Sequence, residues 1–170
     1  MASRSKLSLA ECISLNILSA ELSSAFENKS ILILPYRYST HKKDYISFPE
    51  NTERLYKFLK EKLPSNFSID ICANDDKFSE YAEHFDIITL GSFFINSMAL
   101  PVFIDLISNY IYNNYITHKK FGNNQPYLRE PSIEFDLEVI QDHEGNVSKI
   151  IKYKGSVEGL NSILDSNLFE

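Results

Sequence analysis

Three observations predict an α/β domain: a short, mostly parallel sheet with helices on both faces, extended or flanked by a C-terminal antiparallel β-hairpin. Helical periodicity alternates with short apolar runs through residues 1–120. The run Ile31-Leu32-Ile33-Leu34 is continuously apolar, as a central strand covered on both faces would be. Beyond residue 131 the period changes to two, with Ile133, Phe135, Leu137 and Val139 alternating with Glu134, Asp136 and Glu138.

The elements follow in order. Ser8-Leu9-Ala10-Glu11 has capping-box spacing and opens a helix expected to end near Asn28. After the Ile31–Leu34 strand, Pro35 begins a polar and aromatic loop, Tyr36 to Phe48. A second helix starts near Glu50, carries Leu55, Phe58, Leu59 and Leu63 at helical spacing, and stops at Pro64. Phe67 to Cys72 reads as a strand, Asn74-Asp75-Asp76 as a turn, and Phe78 to Phe85 as a short helix. Ile87 to Leu90 is the third strand, ended by Gly91. Ser97 caps the longest helix, Met98 to His118, with Pro101 tolerated in its first turn. Residues 121–131, rich in Asn, Gly and Pro, form a linker. Residues 132–170 then form the hairpin, turning at Glu144-Gly145-Asn146, and a terminal helix from Val157 to Leu168. The 170 residues read as one domain.

Composition narrows the function classes. The formal net charge is −6, so a general grip on nucleic acid, which needs a basic face, is not expected. The chain shows no uninterrupted apolar run of about 18 residues, so no membrane span is expected. Cys12 and Cys72 lie in apolar contexts without Cys-x-x-Cys spacing and read as buried free thiols of a reducing, cytoplasmic compartment. Abundant Ile, Asn, Lys, Tyr and Phe fit an AT-rich coding sequence of bacterial or phage origin, such as a multi-component conflict or defence locus.

In parallel sheets ligands bind at the carboxyl ends of the strands. Those ends are expected to be the loops at 36–48, 73–77 and 91–97. The first gathers Arg37, Tyr38, His41, Lys42 and Lys43, cations and a ring that suit a phosphate or a nucleotide base. Asp75 and Asp76 in the second could form an acid–base pair with His41, and Ser92 lies in the third. Neither of the two common phosphate-loop motifs is present, nor a Gly-x-Ser-x-Gly elbow, and the four histidines lack metal-ligand spacing. No catalytic residue, cofactor or metal site is therefore assigned.

On the hairpin, Glu134, Asp136 and Glu138 are expected to share a wet face with Ile150, Lys152 and Lys154 across the strands. That face is a candidate partner surface, with Tyr127 of the linker adding apolar area. The preferred reading is a non-catalytic binding or regulatory protein that holds a protein partner or itself. The alternative is a small nucleotide- or phosphate-binding enzyme built on the three loops.

Residues 31–104 resemble a Toll/interleukin-receptor-type domain at two points. One is an early strand followed by an aromatic, basic loop; the other is a strand followed by Ser92-Phe93-Phe94-Ile95-Asn96-Ser97. That family places a Trp two residues after the second serine and a Glu six after it, where this chain has Ala99 and Phe103. The carboxylate that cuts a nicotinamide–ribose bond in its enzymatic members is missing, so no catalytic role carries over and no family is assigned.

Overall fold

The computed structural model describes residues 3–17, 30–74, 76, 78–82, 87–116, 132–140 and 147–165. Nine strands form two sheets among these residues. They are β1 (Ser3–Lys6), β2 (Ile31–Leu34), β3 (Tyr36–Ser39), β4 (Asp44–Pro49), β5 (Ile69–Ile71), β6 (Glu80–Tyr81), β7 (Ile87–Asn96), β8 (Ser132–Ile140) and β9 (Val147–Gly155). The α-helices are α1 (Leu9–Ser14), α2 (Thr52–Lys62), α3 (Leu100–Ile111) and the short α4 (Ser162–Asp165).

The larger sheet has the order β5-β2-β7-β8-β9 and the smaller β1-β3-β4-β6. This corrects the expectation of a mostly parallel sheet with helices on both faces. In the larger sheet β2/β5 and β7/β8 are parallel, whereas β2/β7 and β8/β9 are antiparallel. The physical reason lies at Pro35. Having no N–H to give a ladder, it separates β2 from β3, and the chain passes into the second sheet instead of a helical crossover.

The apolar run of β2 is indeed covered on both faces, but by different layers. Ile31 and Ile33 join Phe93, Ile95, Phe135 and Leu137 beneath α2 and α3, where Leu55, Leu59, Phe103 and Ile107 close the main core. Leu32 and Leu34 pack on the other side with Leu7, Cys12, Ile17 and Cys72. Cys12 and Cys72 are free and buried. The Cys72 thiol is held well above its ordinary value, first by its hydrogen bond with Cys12 and then by burial.

Several local expectations need correction. The Tyr36–Phe48 segment is a β-hairpin, β3 and β4, rather than a loop. Its tip closes on Thr40, whose hydroxyl accepts from the Lys43 N–H at 3.2 Å. Glu80–Tyr81 is a strand, paired in parallel with β4, where a helix was expected. The loop expected at 91–97 is mostly strand, because β7 runs on to Asn96. The first helix has the capping box, with Ser8 N–H donating to Glu11 at 2.8 Å, but α1 ends at Ser14, and 18–29 lie outside the described residues. Ser97 is not the cap of α3: Ala99 holds that place without a side-chain bond, and Pro101 sits in the first turn. Residues 117–131, with Tyr127, and the hairpin turn at 141–146 also lie outside the described residues.

Gly91 keeps β7 continuous by forming a bulge. The register with β8 shifts between Thr89 and Gly91, and Gly91 has φ +136°. A Cβ there would meet only the Phe93 ring, at 3.5 Å, so space is adequate and backbone strain decides the outcome. Gly91→Ala is expected to cost about 1–3 kcal/mol in chemical denaturation. A loss near zero would mean that the bulge relaxes without strain. The bulge has a consequence for the polar layer. Thr89 and Ser92, three positions apart, would face opposite ways in a regular strand. Here they align with Glu134 and Asp136, which share one face of β8.

Candidate functional site

The C-terminal hairpin extends the larger sheet, with β8 beside the central β7 and β9 terminal. Its register sets Glu134 opposite Lys154, Asp136 opposite Lys152 and Glu138 opposite Ile150, as the simple pairing predicts. Phe135, Leu137 and Val139 point into the main core. The three carboxylates point the other way, towards the smaller sheet.

That face is not wet. Arg4 of β1 forms an ion pair with Glu134 and donates to Thr89 Oγ1 at 3.0 Å. Its guanidinium also lies 4.8 Å over the Tyr36 ring. Lys6 Nζ sits 2.8 Å from Glu138, and Tyr36 Oη donates to Asp136 at 2.8 Å. The Glu134 and Glu138 side chains are only 14% and 11% exposed. Burial, and then the Asp136 charge, push the Tyr36 hydroxyl well above its ordinary value. The acidic ladder is thus the seam between two layers. Ser92 stands in register with Asp136, fully buried, and its hydroxyl has no hydrogen-bond partner among the described residues.

The seam has an outward effect on β9. The carboxylates opposite Lys152 and Lys154, those of Asp136 and Glu134, are engaged by Tyr36 and Arg4. Cross-strand ion pairing, the simplest use of those lysines, does not form. Lys149, Lys152 and Lys154 make no ion pair among the described residues, and Ile150 between them is 67% exposed.

The loop residues predicted to hold a phosphate are dispersed. Tyr38 is buried and stacks on Tyr81 with ring centroids 4.5 Å apart. Arg37, half-buried on the next position of β3, pairs in register with Ser5 and Ile46. Its charge assists the Ser8 backbone bond in holding the Glu11 carboxyl below its usual value. His41, Lys42 and Lys43 are exposed at the β3–β4 tip, with Lys43 Nζ 4.6 Å over the Tyr45 ring. Asp76 is exposed and has no side-chain partner among the described residues, whereas Asp75 lies outside them. With Ser92 and Tyr38 between the layers and the cations at a hairpin tip, no common surface carries this set. Because β2 and β7 are antiparallel, their carboxyl ends also point to opposite ends of the sheet.

A hollow of about 170 Å³ lies elsewhere, lined in part by Glu50, Asn51, Tyr81, Thr89 and Tyr115. It is smaller than the roughly 300–1,000 Å³ usual for a ligand site. The neighbouring N-terminus of α2 is already occupied by the Glu80 carboxylate, which accepts from the Asn51 and Glu53 N–H groups at 3.1 and 2.9 Å. A phosphate would have to displace that carboxylate.

The residues that sequence reasoning missed are Arg4, Lys6, Tyr36 and Thr89. One signal was present: Arg4 and Lys6 alternate with Ser3 and Ser5 at period two, matching the period of the acidic ladder. Comparison with known proteins finds no matching family model, no similar curated protein and no similar solved structure. The Toll/interleukin-receptor likeness gains no support, since Ser92–Asn96 is the C-terminal half of β7 and runs antiparallel to β2. No helix among the described residues is long and apolar enough to cross a membrane.

Proposed function

We propose that this chain is a non-catalytic interaction protein that holds a partner protein along the outer edge of β9. The observation that carries this reading is the edge itself. β9 is nine residues long, ends the larger sheet and pairs only with β8 among the described residues. The other terminal strands, β1, β5 and β6, have four, three and two residues. A long open edge presents a row of unpaired N–H and C=O groups, and an extended segment of another chain can complete them. The exposed Ile150 side chain adds apolar area at the middle of that row. The two free thiols are in keeping with a cytoplasmic setting.

A site-specific test separates this edge from the rest of the surface. A photo-crosslinking amino acid placed at Ile150 is expected to give one discrete adduct in the cells that naturally make the protein. The same group at Met98, which is also exposed, is expected to give none. Equal labelling from both positions, or none from either, removes β9 as the docking edge.

A further inference from the structure

We infer that the occupant of the β9 edge is an acidic extended segment of another protein, with carboxylates alternating with apolar side chains, and not a second copy of this chain. The inference rests on the edge-pairing reading above and adds the chemistry of the partner. Three lysines, Lys149, Lys152 and Lys154, stand along the nine-residue strand. The acids opposite Lys152 and Lys154 are turned into the intersheet seam and Lys149 stands opposite Val139, so the three lysines remain without ion-pair partners among the described residues. A local cluster of cations on a chain of net charge −6 is the opposite of the average surface.

The same charges weigh against self-association. An antiparallel pairing of two β9 edges centred on Ile151 sets Lys152 diagonal to the other copy's Lys152, roughly 7–8 Å away. Six cations would then share one ribbon. Lysines on an edge are a common guard against unwanted strand pairing, and an acidic strand is the partner for which that guard becomes an attraction. Glutamates at alternate positions would meet Lys152 and Lys154 on one face, with the apolar side chains between them lying on the other face beside Ile151 and Tyr153.

The test uses the whole protein and three short labelled peptides in which valine alternates with glutamate, serine or lysine. Binding is followed by fluorescence anisotropy, and amide hydrogen exchange reports whether β9 is protected. The glutamate peptide is expected to bind at least roughly tenfold more tightly than the serine peptide at low salt, and the lysine peptide not at all. The preference is expected to vanish at about 1 M salt and in the Lys149→Glu, Lys152→Glu, Lys154→Glu variant, whose circular dichroism should match the parent. Equal binding of the serine and glutamate peptides, with β9 protected, would falsify the charge selection but leave the edge reading intact. Glutamate-peptide binding without β9 protection overturns the inference by placing the acidic site elsewhere. A concentration-dependent dimer that excludes the peptides identifies a second copy as the occupant and also overturns it. If no peptide binds and β9 exchange never changes, the edge reading falls as well.

Discussion

Phe93→Ala is expected to lower the unfolding free energy by about 3–5 kcal/mol, the largest single-residue effect on stability in this chain. Phe93 lies on β7 at the middle of the larger sheet and is fully buried. Its ring packs edge-on to Phe103 of α3, with centroids 4.8 Å apart, and to Phe135 of β8 at 6.5 Å. Phe103 and Phe135 are themselves 6.4 Å apart, so one ring joins two strands and the covering helix. Removing it deletes the apolar area and leaves a cavity that rigid neighbours on three sides cannot close. The variant should show a lower urea midpoint with an unchanged slope, and Phe93→Leu should lose distinctly less. A Phe93→Ala loss below about 1 kcal/mol would contradict this packing.

The second large effect concerns the intersheet seam. Asp136→Ala removes the acceptor of the Tyr36 hydroxyl, which is almost wholly buried, and is expected to cost about 1–3 kcal/mol. Tyr36→Phe should cost less, because the Asp136 carboxylate is only partly buried and can regain water. The pair also predicts an alkaline dependence. Burial and then Asp136 raise the folded Tyr36 above the ordinary phenol value of 10.0. The folded state therefore keeps a proton that the unfolded chain releases. The stability from this group is fully present below pH 10 and is lost as pH rises through the folded value. Tyr110, Tyr115 and Tyr153 are raised as well, each chiefly by burial, and act in the same direction. Thermal midpoints measured from about pH 8 to pH 12 should fall at the alkaline end. The fall should be shallower in Tyr36→Phe, and identical alkaline limbs for the two proteins would exclude the assigned role of Tyr36.

Much of the local structure is legible in the residues. The capping box at Ser8 and Glu11 forms, α2 lies between Asn51 and Pro64, and the β8–β9 register is the one that alternation implies. Each signal acts over a few residues, where backbone geometry decides which side chains can meet. The β3–β4 hairpin was also written locally, in the period-two burial of Tyr36 and Tyr38. Its tip, Thr40-His41-Lys42-Lys43, has none of the Gly or Asn residues by which hairpin turns are usually recognised.

The sequence by itself determined that β2 would be buried on both faces and that β8 would send its carboxylates one way and its apolar residues the other. Only the tertiary structure decided what covers those faces. Hydrophobicity records that a surface leaves water, but not whether a helix or a second sheet removes it. The seam between Arg4, Lys6 and Tyr36 on one side and Glu134, Asp136 and Glu138 on the other joins segments about a hundred residues or more apart. Such contacts depend on packing complementarity between distant segments, which no local period encodes. The same packing turned an acidic ladder expected on the surface into an internal joint, and left the lysines of β9 as the exposed charge on the sheet's longest edge.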